Sequence, residues 1–283
     1  MSSSNKFLLR FLIIIGLVWV IRGHYFQDLW WQPPSNDCYK FFNIESFSQK
    51  NNVFCAAPTE NSTFEVAVIG DSMANSLYPG INNYYKKTGI GVINLGMGTC
   101  APFRNTFGNL PWNYECNLFN DWMFDYLIQN HNIKTVFLIF NHWDIGNMYF
   151  DGGRTPLSND AQRLSKMRLQ AKEDIDFLKS HGKKIVISYD SPHVSSALEC
   201  IFYGTCSYSS KEGLNTKFEG FWDQVFDGIG DICIFSELNV LSENNTLPFI
   251  KDNHLLYRDN HHLSIFGANY VVEKMKQDPC INL

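Results

Sequence analysis

Three residues of this chain have the types and the order that acyl transfer needs. Ser72 stands in Gly70-Asp71-Ser72-Met73, directly after the apolar run Phe64 to Ile69. A serine hydroxyl is a weak nucleophile, so it needs a base to take its proton and N–H groups to hold the oxyanion that forms. A strand-to-helix turn at this point presents the hydroxyl at a sheet edge and sets the unpaired N–H groups of the first helical turn beside it. The plainer reading is that Ser72 only caps that helix. About two thirds of the chain later, Tyr257-Arg258-Asp259-Asn260-His261-His262-Leu263-Ser264 places Asp259 and His262 three apart, just before a last helix. That spacing lets one carboxylate orient the imidazole that deprotonates Ser72. Each motif is weak alone, because a histidine in a loop is ordinarily a polar surface residue. The pair, with the serine after the first strand and the histidine before the last helix, is far more specific.

Other reactive side chains take blander readings. Asp190 and His193 end a strand and suit a turn. His142 follows a strand without partners at metal-ligand spacing, so no metal and no cofactor are assigned. His261, next to the base, is expected to diverge from it and sit exposed. Trp112, Tyr114, Trp122 and Trp143 can stack on a sugar ring, although such aromatics are more often core.

The elements that must position these residues alternate along the chain. Strands are predicted over 64–69, 91–95, 135–140, 184–189 and 232–235, and helices over 74–87, 117–130, 158–181, 211–226 and 264–276. Between them, 96–114 reads as a loop rich in Gly, Pro and Asn. In the long helix, Leu164, Met167, Leu169, Ile175 and Leu178 are spaced for a buried stripe, and Gly182 stops it. This alternation predicts a three-layer α/β/α sandwich around a parallel sheet of about five strands, with reactive groups at the carboxyl ends of the strands.

Composition bounds the compartment and the partners. Lys6 and Arg10 precede an apolar run, Phe11 to Ile21, broken only by Gly16 and closed by Arg22. Residues 1–23 are therefore read as an uncleaved signal anchor, or else a cleaved signal peptide, with 24–63 as a stalk or lead-in and 64–283 as the catalytic domain. All eight cysteines follow the apolar run and none forms a CxxC pair. Disulfides in an oxidising compartment fit better than a metal; pairing by sequence neighbour would join 38 with 55, 100 with 116, 200 with 206 and 233 with 280. Sequons at Asn61 and Asn244 matter only in a host that glycosylates secreted chains. The net charge of −5 gives no reason to expect nucleic acid.

With Gly70-Asp71-Ser72, Cys100-Ala101-Pro102 and the run Tyr257, Asp259, His262, Leu263, Ser264, Gly267 and Ala268, the chain resembles the SGNH hydrolase superfamily. Among its members it is most similar to the SGNH domains attached to membrane acyltransferases of the acyltransferase-three family. The resemblance runs from about Phe64 to Met275 and implies a flavodoxin-like α/β domain with Ser72 as nucleophile, His262 as general base and then acid, and Asp259 as its orienting partner. It further implies an oxyanion hole from the Ser72 N–H, a donor in Gly96-Met97-Gly98-Thr99, and an asparagine after the third strand. Gly98 is preferred in the second block, with Gly96 and Thr99 open. Asn141 is the candidate in the third, although a register count lands on Trp143. The implied activity is transfer of O-acyl groups, chiefly O-acetyl, on a cell-surface or secreted glycan through an acyl-Ser72 intermediate. A separate membrane protein is expected to donate the acyl group, and the catalytic domain to lie outside the cytoplasm. A carbohydrate O-acetyl esterase, a lipase-like hydrolase with a broad acyl pocket and a non-catalytic glycan-binding module are the alternatives.

Overall fold

The structure, a computed structural model, describes residues 52–57, 63–108, 115–141, 148–150, 160–189, 219–243 and 247–281. Its centre is a sheet whose strands are β1 (Val53–Ala56), β2 (Phe64–Gly70), β3 (Gly91–Met97), β5 (Thr135–Ile139), β7 (Lys184–Ser188) and β8 (Cys233–Ile234). The order across the sheet is β1-β3-β2-β5-β7-β8. All neighbours run parallel except β1, which pairs antiparallel with β3 from Val53 opposite Met97 to Ala56 opposite Asn94. β1 is a strand beyond those the sequence predicts and lies within 24–63. A four-residue segment offers too little period-2 pattern to be read, and only pairing with β3 makes it a strand.

Strands buried on both faces alternate their side chains between two cores. Val136 and Leu138 of β5 join Ile69, Ile93 and Leu95 on one face, beneath α2 (Cys116–Gln129), α3 (Asp160–Ser180) and α4 (Glu219–Phe226). Phe137 and Ile139 join Val66, Val68 and Val92 on the other, beneath α1 (Ser72–Lys86), α5 (Glu237–Leu241) and α6 (Ile265–Met275). The three-layer arrangement is therefore present. On α3 the buried stripe runs through Met167, Ala171, Ile175 and Leu178, whereas Leu169 is 60% exposed. Two residues after Met167, Leu169 is turned about 200° around the helix, which corrects its predicted place in the stripe.

The predicted loop 96–114 contains β4 (Thr106–Gly108), which pairs antiparallel with β6 (Met148–Phe150). A small hairpin of β9 (Ile250–Lys251) and β10 (His254–Leu255) precedes the last helix. Disulfides join Cys100 to Cys116 and Cys233 to Cys280, two of the neighbour pairs. Cys55 is also disulfide-bonded; Cys38, Cys200 and Cys206 lie outside the described residues. So does the apolar run at 11–21, and among the described residues no helix is long and apolar enough to cross a membrane.

α1 and α6 pack closely on one face. Gly80 lies against the Ala268 carbonyl, where any Cβ would collide, and Asn83 Nδ2 donates to Asn269 Oδ1 at 3.1 Å. The strand order sets the crevice. β2 is flanked by β3 and β5, and α1 and α2, which follow β2 and β3, cover opposite faces of the sheet. The carboxyl end of β2 is thus the topological switch point, where open α/β sheets place their ligands.

Candidate active site

Ser72 occupies that switch point as the first residue of α1. The turn that delivers it depends on Gly70, whose φ is +150° and whose missing Cβ leaves room for the Ile139 carbonyl of the neighbouring strand. Asp71 is buried and holds the turn with its whole carboxylate. Oδ1 accepts from the Met73 N–H at 2.7 Å as the helix cap, and Oδ2 accepts from the Asn141 N–H at 2.7 Å. The cap that the sequence offered to Ser72 thus belongs to Asp71. Ser72 is half-buried, and among the described residues neither its hydroxyl nor its N–H makes a hydrogen bond. Beneath it, buried Asn75 of α1 accepts from Asn94 Nδ2 of β3 at 3.1 Å.

The second piece is a loop closed on itself. Tyr257 bridges Leu263, and the Arg258 N–H donates to the His262 carbonyl at 2.9 Å. Ser264 caps α6 by accepting from Gly267 at 2.9 Å. Inside the loop, Asp259 Oδ1 accepts from the N–H groups of His261 at 3.0 Å and His262 at 2.8 Å, and Oδ2 lies 2.8 Å from His262 Nδ1. An ionised carboxylate only accepts, so Nδ1 carries the proton and a neutral imidazole keeps its lone pair on Nε2. Burial pushes the Asp259 carboxyl up, but the His262 side-chain hydrogen bond, the His262 charge and the two amides outweigh it and hold the group well below the usual carboxylate range. His262 Nε2 is buried and has no hydrogen-bond partner among the described residues, the Ser72 hydroxyl included.

Residues beside each piece meet in one core cluster. Met73, next to Ser72, and Tyr257 and Leu263, which bracket the dyad, are buried in the same core cluster. Tyr257 also feels the charge of buried Glu237, which accepts from Ser188 at the carboxyl end of β7 at 3.0 Å. The structure therefore brings Asp259 and His262 into contact and keeps Met73, the residue after Ser72, in the cluster that holds Tyr257 and Leu263, without a hydrogen bond between Ser72 and His262.

The oxyanion candidates divide. Gly70 and Ile139 are register partners, so Asn141 stands two residues beyond β5 as Ser72 stands two beyond β2, and Asp71 ties the two turns together. The Gly98 N–H donates to the Asn52 carbonyl at 3.0 Å, and a Cβ there would lie 2.6 Å from Asn52 Oδ1. This amide is engaged by the segment that forms β1. The sequence could not show it because the strand was not legible. Thr99 takes a left-handed φ of 56°. His142, Trp143, Asp190, His193, Trp112 and Tyr114 lie outside the described residues.

His261 also departs from its expected place. Its ring centroid is 4.0 Å from that of His262 and its side chain is 29% exposed, so it packs against the base rather than diverging from it. Asp259 draws both backbone N–H groups to one oxygen, which keeps the consecutive imidazoles together. The role of Asp71, which ties two turns, was likewise missed; an Asp at a strand-to-helix turn, a residue type that caps helices, was its only signal.

Comparison with known proteins fits this architecture. The family model for the SGNH domain (fused to AT3 domains) matches residues 37–277. Among curated proteins no sequence matches. The fold is similar to that of the periplasmic domain of a lipopolysaccharide acetyltransferase from Salmonella ser. Paratyphi A, with TM-score 0.57 and 15% identity over 86% of this chain and 96% of that one. A GDSL-like lipase from Bacteroides thetaiotaomicron aligns with TM-score 0.41 and 11% identity over 84% of this chain and 95% of that one. With a family model spanning the sheet, the Ser72 turn and the Asp259–His262 loop, the chain belongs to the family of SGNH domains that occur fused to AT3 domains.

Proposed function

We propose that the chain transfers O-acyl groups, chiefly O-acetyl, on a cell-surface or secreted glycan through an acyl-Ser72 intermediate. The observation that carries this reading is the buried, unpartnered Nε2 of His262, whose opposite nitrogen is held by Asp259. A buried nitrogen lone pair without a partner is costly unless it has a use, and here that use is the Ser72 proton. His262 Nε2 takes the hydroxyl proton as Ser72 Oγ attacks the acyl carbonyl. The tetrahedral oxyanion is held by the Ser72 N–H at the amino end of α1 and by the Asn141 side chain. Collapse expels the alcohol, which leaves with the proton from His262, and Asp259 stabilises the imidazolium in between. A glycan hydroxyl then attacks the acyl-serine, with His262 acting as base again.

Transfer is favoured over hydrolysis by the family, whose domains occur fused to AT3 domains, and by the similarity in fold to the periplasmic domain of a Salmonella lipopolysaccharide acetyltransferase. The acyl donor is accordingly a membrane acyltransferase partner. The disulfides at Cys55, Cys100–Cys116 and Cys233–Cys280 support a catalytic domain outside the cytoplasm, tethered by residues 1–23. Intact-mass spectrometry after incubation with p-nitrophenyl acetate tests the chemistry. A single acetyl adduct or ester turnover that vanishes in Ser72→Ala supports it, and a folded, oxidised chain showing neither overturns it.

A further inference from the structure

Asp259, Asn260, His261 and His262 are consecutive, and Asp259, His261 and His262 turn ligand atoms toward one another. His261 Nδ1 lies 3.7 Å from Asp259 Oδ1, and His262 Nδ1 lies 2.8 Å from Asp259 Oδ2. One ligand atom from each of Asp259, His261 and His262 falls within 4.8 Å of the others, and the Asn260 side-chain oxygen is 2.6 Å from His261 Nδ1. Zinc bonds to such ligands at about 2.1 Å, so ligand atoms around a tetrahedral ion stand about 3.4 Å apart. The observed separations straddle that value. Closing the set asks for side-chain rotation within a loop whose backbone Asp259 already holds.

From this we infer that Asp259, His261 and His262 form an inhibitory binding site for a divalent transition metal of the zinc class. The donor set, two imidazoles and one carboxylate, suits that class and leaves a coordination position for water. The ion can enter from solvent, because the Asp259 and His261 side chains are 43% and 29% exposed. Binding exchanges the Asp259–His262 hydrogen bond for metal–ligand bonds and shifts the His262 Nδ1 proton to Nε2; it competes with protonation of either imidazole to imidazolium, so affinity falls as pH drops. The same atoms cannot orient a base and ligate an ion. The site stands on geometry alone, whereas its inhibitory effect rests on the acyl-transfer reading.

The test uses the metal-free full chain as wild type, Ser72→Ala, His261→Gln and His131→Gln, titrated with Zn²⁺ against a chromophoric chelator near about pH 7, with stoichiometry from native mass spectrometry. Wild type, Ser72→Ala and His131→Gln are expected to bind one zinc with equal affinity, and His261→Gln to bind at least about tenfold more weakly. In wild type, zinc should shift the ring-proton NMR signals of His261 and His262 and leave those of the other histidines, a readout independent of any variant's folding. Equal affinity in His261→Gln, no stoichiometric zinc, or shifts confined to other histidines would overturn the site. Zinc should suppress ester turnover and a chelator restore it; turnover indifferent to bound zinc overturns the inhibition. A chain that binds zinc through His261 yet turns over no ester supports the site and counts against the acyl-transfer reading.

Discussion

Asp71 and Asn141 are joined by a 2.7 Å hydrogen bond from the Asn141 N–H to Asp71 Oδ2, across the carboxyl ends of two neighbouring parallel strands. The other carboxylate oxygen caps the helix that begins with Ser72. One buried side chain therefore fixes the position of the Ser72 turn relative to the loop that carries the asparagine. A backbone bond from the Asp71 N–H to the Ile139 carbonyl at 3.3 Å joins the same two strand ends, and the carboxylate extends that tie into the residues beyond them.

Asp71→Ala should cost about 1–3 kcal/mol in stability, chiefly the penalty for the buried Met73 N–H left without an acceptor, since the Asn141 N–H is only half-buried. Because both turns lose their tie, ester turnover is expected to fall in kcat more than it rises in KM. Urea denaturation and steady-state kinetics on the same preparation check the two effects. Unchanged kcat in a destabilised chain would mean that Asp71 serves folding only.

Asp259→Asn should lower kcat by about 100-fold or more, since an amide can leave His262 in the wrong tautomer. The substitution also has a stability signature. The Asp259 carboxyl is held below its ordinary range in the folded chain, so its contribution is present above the unfolded carboxyl's pKa of about 4 and is lost as pH falls through the folded value. Urea midpoints measured from neutral to acid pH should show wild type losing stability relative to Asp259→Asn below about pH 4.

Asp174 behaves in the opposite sense. Burial pushes its carboxyl up to about 6, against the Arg104 Nε and backbone N–H, each 2.7 Å away, and Gln170. The folded chain thus binds more protons than the unfolded one between about pH 4 and the folded value, and stability falls as pH rises through that window. Relative to Asp174→Asn, wild type should lose about 3 kcal/mol between pH 4 and 7. A pH-independent difference in urea midpoint would show that Arg104 offsets the burial completely.

The two described disulfides should differ in worth. Cys233–Cys280 spans 47 residues and ties the chain beyond α6 to edge strand β8, whereas Cys100–Cys116 spans 16. Loop-closure entropy assigns them about 4 and about 3 kcal/mol. Double Cys→Ser variants compared by thermal denaturation should show the larger loss at 233 and 280.

What could be read from the sequence alone is what neighbouring residues decide. Period-2 and period-3.6 apolar patterns located the five parallel strands and the helices between them, because burial on a pleated or helical surface imposes those periods. The spacing of Asp259 and His262 showed their contact, since three residues of turn leave little choice of partner. Pairings across long sequence separations were decided only in the folded chain. β1 exists because β3 offers it an edge, and that pairing brings in the Asn52 carbonyl that engages the Gly98 amide. Asp71 finds Asn141 because β2 and β5 lie side by side in register. His261 lies against His262 because one carboxylate oxygen gathers both of their amides. Each depends on where a backbone N–H or C=O ends up in space, and since every residue carries these same groups, no side-chain pattern encodes it.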